Sequence, residues 1–211
     1  MTAIDDESTA HDDLPRDPGV GPSRGTAFVY VLPCRYEDIL KVGFSRDPLD
    51  RFRTLHARWF EFFDPDAALL VETDRVADAR RLETALGDAV ALHSAPAPLV
   101  VPRVASGHTE WYRGAYAVLA DMVDTLRDRD GYVVHRPAAT WLAHALERRA
   151  AALYAWSAMQ LEAIRMFEHG PSHDAALALG RALRDALDAY DALGLPPERW
   201  IGEDVRRWYR G

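Results

Sequence analysis

The chain of 211 residues contains one cysteine, one lysine and no asparagine. Because a disulfide needs two cysteines, Cys34 alone excludes an intramolecular disulfide framework. No stretch of about 20 apolar residues and no charged-then-apolar leader occurs, and both absences argue against a membrane partner. We therefore expect a soluble, cytoplasmic protein.

The charge is negative overall but unevenly spread. The net charge is −8, which argues against a polyanionic partner because Lys and Arg contacts release the counterions of a phosphate backbone. The first 20 residues carry six acids and one arginine, whereas residues 21–60 carry seven bases and four acids. The locally basic segment leaves a nucleic-acid partner open.

Three segments can be separated by composition. Residues 1–24 are rich in Asp, Pro, Gly and Ser, without an apolar period, and are predicted to form a disordered acidic leader. Residues 25–130 mix strand and helix patterns, and residues 131–211 carry helical patterns only. We predict an N-terminal domain at 25–130 and a helical C-terminal domain at 131–211.

The N-terminal domain is predicted to have an α/β (α+β) fold with a small, mostly antiparallel three-stranded sheet flanked by helices. The strands are predicted in TAFVYVLP, ILKVGFS and AALLVET, which are rich in β-branched, aromatic and aliphatic residues. Asp47 can cap a helix that has Pro48 at its first position, and Asp74 can cap a helix that reaches about His93. The segment TEWYRGAYAVLADMVDTL is predicted to lead into a further helix.

The C-terminal domain is predicted to be an all-α unit. A long apolar pattern runs from Ala138 to Gly170, a second helix is expected from Asp174, and a short third one from Pro197. Its aromatic residues most simply form a helical core. An exposed apolar excess would suit a homodimer through this domain.

Five features follow one another in a distinctive order: FVYVL, LKVGFS, Arg51, Glu83 and HTEWYRG. In this order and approximate spacing they resemble the GIY-YIG nuclease superfamily, and most closely its phage-associated branch with a Lys-Ile-Gly second motif. The resemblance covers about residues 26–115. It implies a metal-dependent endonuclease that hydrolyses nucleic-acid phosphodiester bonds, with DNA more expected than RNA, by in-line attack of water with one Mg²⁺ or Mn²⁺.

The resemblance assigns a role to each matched residue. Tyr30 would lie near the attacking water, and a phenol can take its proton only if nearby cations and metal lower its pKa. Lys41 takes the place of the second-motif tyrosine, where a compact ammonium can donate to a phosphate or a water. Arg51 would hold the scissile phosphate. Gly43, two residues after Lys41, would allow a close approach.

Glu83 is expected to hold the metal ion, as the helix glutamate of the family does. Its position falls in or beside the apolar stripe of its helix, where an unpaired charge is costly. A hard cation with one or two protein carboxylates would explain that placement. The alternative is a surface pair between Glu83 and Arg80.

Other candidates surround these positions. Leu55 stands where the family often has a second polar residue, and the adjacent His56 is the candidate replacement. The predicted nucleic-acid-binding residues are Arg46, Arg53 and Arg58, although an ordinary solvated helix face fits them too.

Glu110 lies near the position where many family members supply an asparagine. It could act as a second carboxylate or as an acceptor for backbone amides. The missing asparagine and the lysine at position 41 leave an alternative function open. That alternative is a catalytically weak or inactive nucleic-acid-binding or protein-interaction module on the same fold.

Overall fold

The structure is a computed structural model that describes residues 25–102, 109–168 and 173–211. The predicted acidic leader lies outside the described residues. Within them, no helix combines the length and the apolar character needed to cross a bilayer.

The sheet is antiparallel and has five strands in the order β4-β2-β1-β3-β5. The strands are β1 (Ala27–Pro33), β2 (Ile39–Ser45), β3 (Leu69–Thr73), β4 (Trp111–Arg113) and β5 (Val134–His135). The three predicted strands are confirmed, but the predicted number was wrong. The two edge strands have three and two residues, too few to show an alternating pattern, and form by pairing with β2 and β3.

Helices follow most of the strands. They are α1 (Pro48–Leu55), α2 (Trp59–Phe62), α3 (Val76–Ala89), α4 (Tyr116–Asp128), α5 (Ala138–Glu168), α6 (His173–Ala192) and α7 (Glu203–Arg210), with 3₁₀ turns at Ala91–His93 and Pro197–Arg199.

Two helix starts test the predicted caps. The Asp47 side chain accepts a hydrogen bond from the Asp50 N–H at 3.1 Å, with Pro48 following, so this cap is confirmed. The predicted cap at Asp74 was wrong, because Arg75 takes the cap position and its side chain makes no cap bond. A cap depends on the backbone angles of one residue, which neighbouring polar residues in a sequence do not fix.

Both faces of the sheet are covered. Phe28, Tyr30 and Leu32 lie in a core with α1, α5 and α6, whereas Val29 and Val31 lie in a second core with α3 and α4. The central strand β1 is therefore apolar on both faces, which explains its nearly continuous apolar sequence.

The first of these cores continues across the predicted boundary at residue 130. The rings of Phe28 and Trp141 lie 4.7 Å apart edge to face, and the Ala138 N–H donates to the Ala68 carbonyl at 2.9 Å. Whether either side folds alone stays a prediction.

The homodimer through the C-terminal helices also stays a prediction. Helices α5 and α6 expose apolar side chains at Tyr154, Met159, Met166 and Leu177.

Candidate active site

The candidate site lies along the edge of β2 that faces β4. Strand β4 pairs with β2 only at residues 39–41, and the Val42 N–H then donates to the Glu110 carbonyl at 3.0 Å. Two residues further on, the Phe44 N–H lies close enough to the carboxylate of Glu83 from α3 to act on its pKa. The second half of the β2 edge thus lies between Glu83 on one side and Glu110 on the other.

Lys41 is enclosed, with 1% of its surface exposed. Its ammonium donates to the Val42 carbonyl at 3.0 Å, the Thr109 carbonyl at 2.9 Å and Glu110 Oε2 at 3.1 Å. Burial lowers the pKa of Lys41, while the Glu110 carboxylate acts in the opposite direction. An ammonium has three N–H donors, so all of them have an acceptor here.

Glu110 combines an ion pair with an unusual backbone. Its φ is 58°, in the left-handed region that residues other than glycine and asparagine adopt at a cost of about 1 kcal/mol or more. Burial acts to raise the pKa of Glu110, but the hydrogen bond from Thr109 and the charge and hydrogen bond of Lys41 outweigh it and lower that pKa. The carboxylate is therefore held ionised, with its side chain 40% exposed beside the β2 edge.

Tyr30 lies beneath the site and contacts Arg51. The phenol is buried, and its oxygen accepts a long hydrogen bond of 3.4 Å from Arg51 Nε. A Cβ added at Gly43 would lie 2.3 Å from that oxygen. Gly43 does leave room for a close approach, and the group that uses the room is the Tyr30 side chain.

The protonation state of Tyr30 differs from the one that a proton acceptor needs. Burial raises the pKa of Tyr30; Arg51 lowers it through its charge and hydrogen bond, and the charges of Glu83 and Glu110 raise it. Burial dominates, so the phenol keeps its proton near neutral pH. It can hold Arg51 and donate a hydrogen bond.

Glu83 is half-buried, and its carboxylate is short of positive charge. Burial raises the pKa of Glu83 and the Glu110 charge adds to this, against smaller effects from Lys41, Arg80 and the Phe44 N–H. Glu83 and Glu110 line an open cleft of about 360 Å³ between α3 and β4, with Asp88 and Tyr112 in its wall. Together these carboxylates make the cleft acidic.

The donor set suits a hard cation with few protein ligands. Carboxylate oxygens are the ligands that Mg²⁺ prefers, and it commonly keeps several waters. In the part of the chain that the structure describes, no group of three or more His, Cys, Asp or Glu residues is arranged to hold a metal ion. Glu83 and Glu110 would therefore leave most of the coordination shell to water and substrate.

The other predicted residues lie on the α1 and α2 side of the molecule. Arg46 is half-buried in the turn between β2 and α1, and Arg53 lies 3.7 Å from Asp50. His56 ends α1, where its Nδ1 accepts from the Arg58 N–H at 3.2 Å and its ring stacks on Phe62 at 4.5 Å. The contacts of His56 are thus with α2.

Arg58 is held by carboxylates of its own chain. Its guanidinium donates to Glu61 at 2.6 and 2.7 Å, to Asp185 at 2.6 Å and to Asp188 at 2.9 Å. The hydrogen bond to Glu61 is the largest of the effects that raise the pKa of Arg58. A nucleic-acid phosphate would have to compete with these carboxylates for Arg58. The sequence alone does not indicate that α6 lies close to Arg58.

Sequence reasoning missed Asp88 and Tyr112 in the cleft wall. A signal was present at Gly87, a glycine inside a helix, which often marks a close approach. A Cβ at Gly87 would lie 2.8 Å from the Tyr112 hydroxyl, so this glycine lets the tyrosine pack against α3.

About half of the chain matches one known domain family. Residues 27–127 match the T5orf172 domain. No curated protein and no solved structure gives a significant match to the chain. The T5orf172 match includes Tyr30, Lys41, Arg51, Glu83 and Glu110, and it ends within α4, before the long helices α5 and α6 begin.

Proposed function

We propose that this protein is a metal-dependent endonuclease that hydrolyses phosphodiester bonds in nucleic acid, with DNA as the expected substrate. The observation that carries the proposal is the grouping of Arg51, Glu83 and Glu110 around the end of β2, above the buried Tyr30 and Lys41. The relation of the T5orf172 family to nuclease-like phage domains supports it.

Glu83 and Glu110 would together hold one Mg²⁺ or Mn²⁺. Each of two adjacent carboxylates disfavours the charge of the other, and the pKa of Glu83 is raised for this reason in addition to its burial. When bound, such a cation supplies Lewis-acid polarisation of a phosphoryl oxygen and lowers the pKa of a coordinated water.

The chain's own residues would position the substrate for in-line attack by water. The half-buried Arg51 binds the scissile phosphate and stabilises the charge that develops on it. Tyr30 positions Arg51 by accepting a hydrogen bond from its Nε. Lys41 positions Glu110 by donating a hydrogen bond to it, and both buried residues thus act beneath the reacting groups.

Cleavage of plasmid, single-stranded and branched DNA in Mg²⁺ or Mn²⁺ tests the proposal. Glu83→Gln and Arg51→Gln should each lower the rate at least 100-fold, since one removes a carboxylate from the cation and the other a donor from the transition state. Glu147→Gln, which changes an exposed carboxylate on α5, is the matched control and should cleave like the wild type. Absence of cleavage on every substrate, or cleavage that survives both changes, would refute the enzymatic proposal.

A second candidate is a nucleic-acid-binding module with little or no catalysis on the same fold. The burial of Tyr30 and Lys41 favours it, because neither side chain reaches solvent as the structure stands. Under this alternative the wild type would bind DNA without cutting it, and Glu83→Gln would leave binding unchanged.

A further inference from the structure

Arg80 lies on the exposed face of α3, one helical turn before Glu83. Its guanidinium carbon lies 5.7 Å from the centre of the Phe44 ring. Within the described residues the guanidinium forms no hydrogen bond or salt bridge, so the surface pair with Glu83 that the sequence left open is not formed. Its charge acts on Glu83 only at a distance.

The neighbouring arginine behaves differently. Arg81, on the same helix and also exposed, pairs with Asp78. Arg58 and Arg149 are likewise paired with carboxylates. Arg80 thus differs from Arg81 in that, within the described residues, its N–H donors have no carboxylate partner.

Phe44 gives those donors a defined position. The ring belongs to β2, where Phe44 is opposite Val29, and the backbone N–H of the same residue lies beside the Glu83 carboxylate. A guanidinium held over an aromatic ring keeps its N–H donors available, and their fork geometry matches a phosphate. The candidate cation ligand and the Arg80 donors therefore lie beside the same residue.

The two arginines approach β2 from opposite faces of the sheet. Arg51 contacts Tyr30, which faces the core shared with α5, whereas Arg80 lies on Phe44, which packs against the core shared with α3. A strand of nucleic acid that crosses the end of β2 would meet Arg51, then the carboxylates, then Arg80.

We propose that Arg80 binds a backbone phosphate of the same strand whose scissile phosphate Arg51 holds, on the other side of the two carboxylates. The inference rests on the proposed action on nucleic acid, and it adds a phosphate-binding residue that lies outside the metal site. Arg80 contributes affinity for the backbone and no base specificity, because a phosphate carries no sequence information.

Binding of fluorescently labelled single-stranded and duplex DNA, without divalent metal and at several salt concentrations, tests this directly. Arg80→Gln should weaken binding about 5- to 10-fold and reduce the slope of log K against log salt by about 1, as loss of one phosphate contact requires. Arg81→Gln, with the same change of charge on the same helix, should alter affinity less than about twofold. Equal effects of the two changes, no effect of Arg80→Gln, or no DNA binding by the wild type would overturn the proposal.

Two further variants separate charge from position. Arg80→Lys keeps the charge and Phe44→Leu keeps an apolar side chain, but each removes the contact between guanidinium and ring, and each should weaken binding by about 2- to 3-fold. Thermal melting of Arg80→Gln and Arg81→Gln should match the wild type, which excludes unfolding as the cause.

The outcomes also separate this inference from the proposed endonuclease. If the wild type binds DNA but cuts nothing, and Arg80→Gln weakens binding while Arg81→Gln does not, the phosphate site stands and the enzymatic proposal fails. If DNA is cut and Arg80→Gln binds normally, the reverse holds.

Discussion

Lys41 is the only lysine among 25 basic residues, and it occupies a position that an arginine would not fit. Three acceptors surround a single nitrogen within 3.1 Å, and the Trp111 ring lies 6.0 Å away. A guanidinium is planar, larger and forked, so it would not match three acceptors converging on one atom. The lysine was predicted to be special from its rarity, but its burial depends on Thr109 and Glu110, which lie far along the chain.

Glu83 should reveal its role through stability as well as activity. Because its pKa is raised in the folded state, that state holds the proton more tightly than the unfolded chain does. The ionised carboxylate therefore costs stability as pH rises above its unfolded pKa of about 4.3, and the full cost is present above the folded pKa.

We accordingly expect Glu83→Gln to raise the melting temperature near neutral pH. The gain should shrink as pH falls and vanish below about pH 3, where the carboxyl is protonated in both states. Millimolar Mg²⁺ should stabilise the wild type more than Glu83→Gln, since the cation binds the folded carboxylate. Differential scanning fluorimetry across this pH range, with and without Mg²⁺, measures both effects. A variant that melts below the wild type near neutral pH would contradict the electrostatic account of Glu83.

At the scale of elements, the sequence predicted best where a segment is long and strongly apolar. Strands β1, β2 and β3 and the helices α1, α5 and α6 followed from local patterns. The short α2 was not predicted, and the last helix begins at Glu203 rather than at Pro197, where the chain forms a 3₁₀ turn. Strands β4 and β5 did not, because each exists only as a partner for an edge that was built elsewhere in the chain. The order of the candidate site residues along the chain was predictable. The burial of Lys41 beneath Glu110 was not, because it depends on the contacts at the edge of β2.

The link between α2 and α6 gives a prediction at this scale. Arg58→Ala removes hydrogen bonds to Glu61, Asp185 and Asp188 and should lower the free energy of unfolding by about 1–2 kcal/mol, less at high salt. Urea denaturation at low and high salt measures the change. Arg181→Ala, at an exposed position on α6, is the control and should fall within about 0.5 kcal/mol of the wild type. Equal stability of both variants would show that the cluster contributes nothing.

At the scale of the whole molecule, the sheet and the long helices share one core. Phe28, Tyr30 and Leu32 lie in the same apolar cluster as Leu142, Leu153 and Leu187. The catalytic candidates lie in the part of the chain that matches the T5orf172 domain. The apolar core around Tyr30, however, includes side chains from helices outside that match. The predicted boundary at residue 130 marks a change in secondary structure, and the packing does not stop there.

Residues 25–130 expressed alone should therefore fail to fold cooperatively. Removal of β5, α5 and α6 would expose the Phe28 face of the sheet and forfeit about 25 cal/mol for every Å² of apolar surface that those elements cover. Circular dichroism melting and size-exclusion chromatography, beside residues 25–211, measure the outcome. A soluble fragment with a sharp melting transition would show that the N-terminal domain is independent.

The place of β1 in the centre of the sheet also affects how the protein is made. This strand leaves the ribosome before α5 and α6, which cover one of its faces and are synthesised more than 100 residues later. At about 5–20 residues per second, the aromatic face of β1 stays exposed in the nascent chain for several seconds before α5 and α6 are synthesised. We therefore expect chaperones to bind the nascent chain before α5 and α6 have been synthesised.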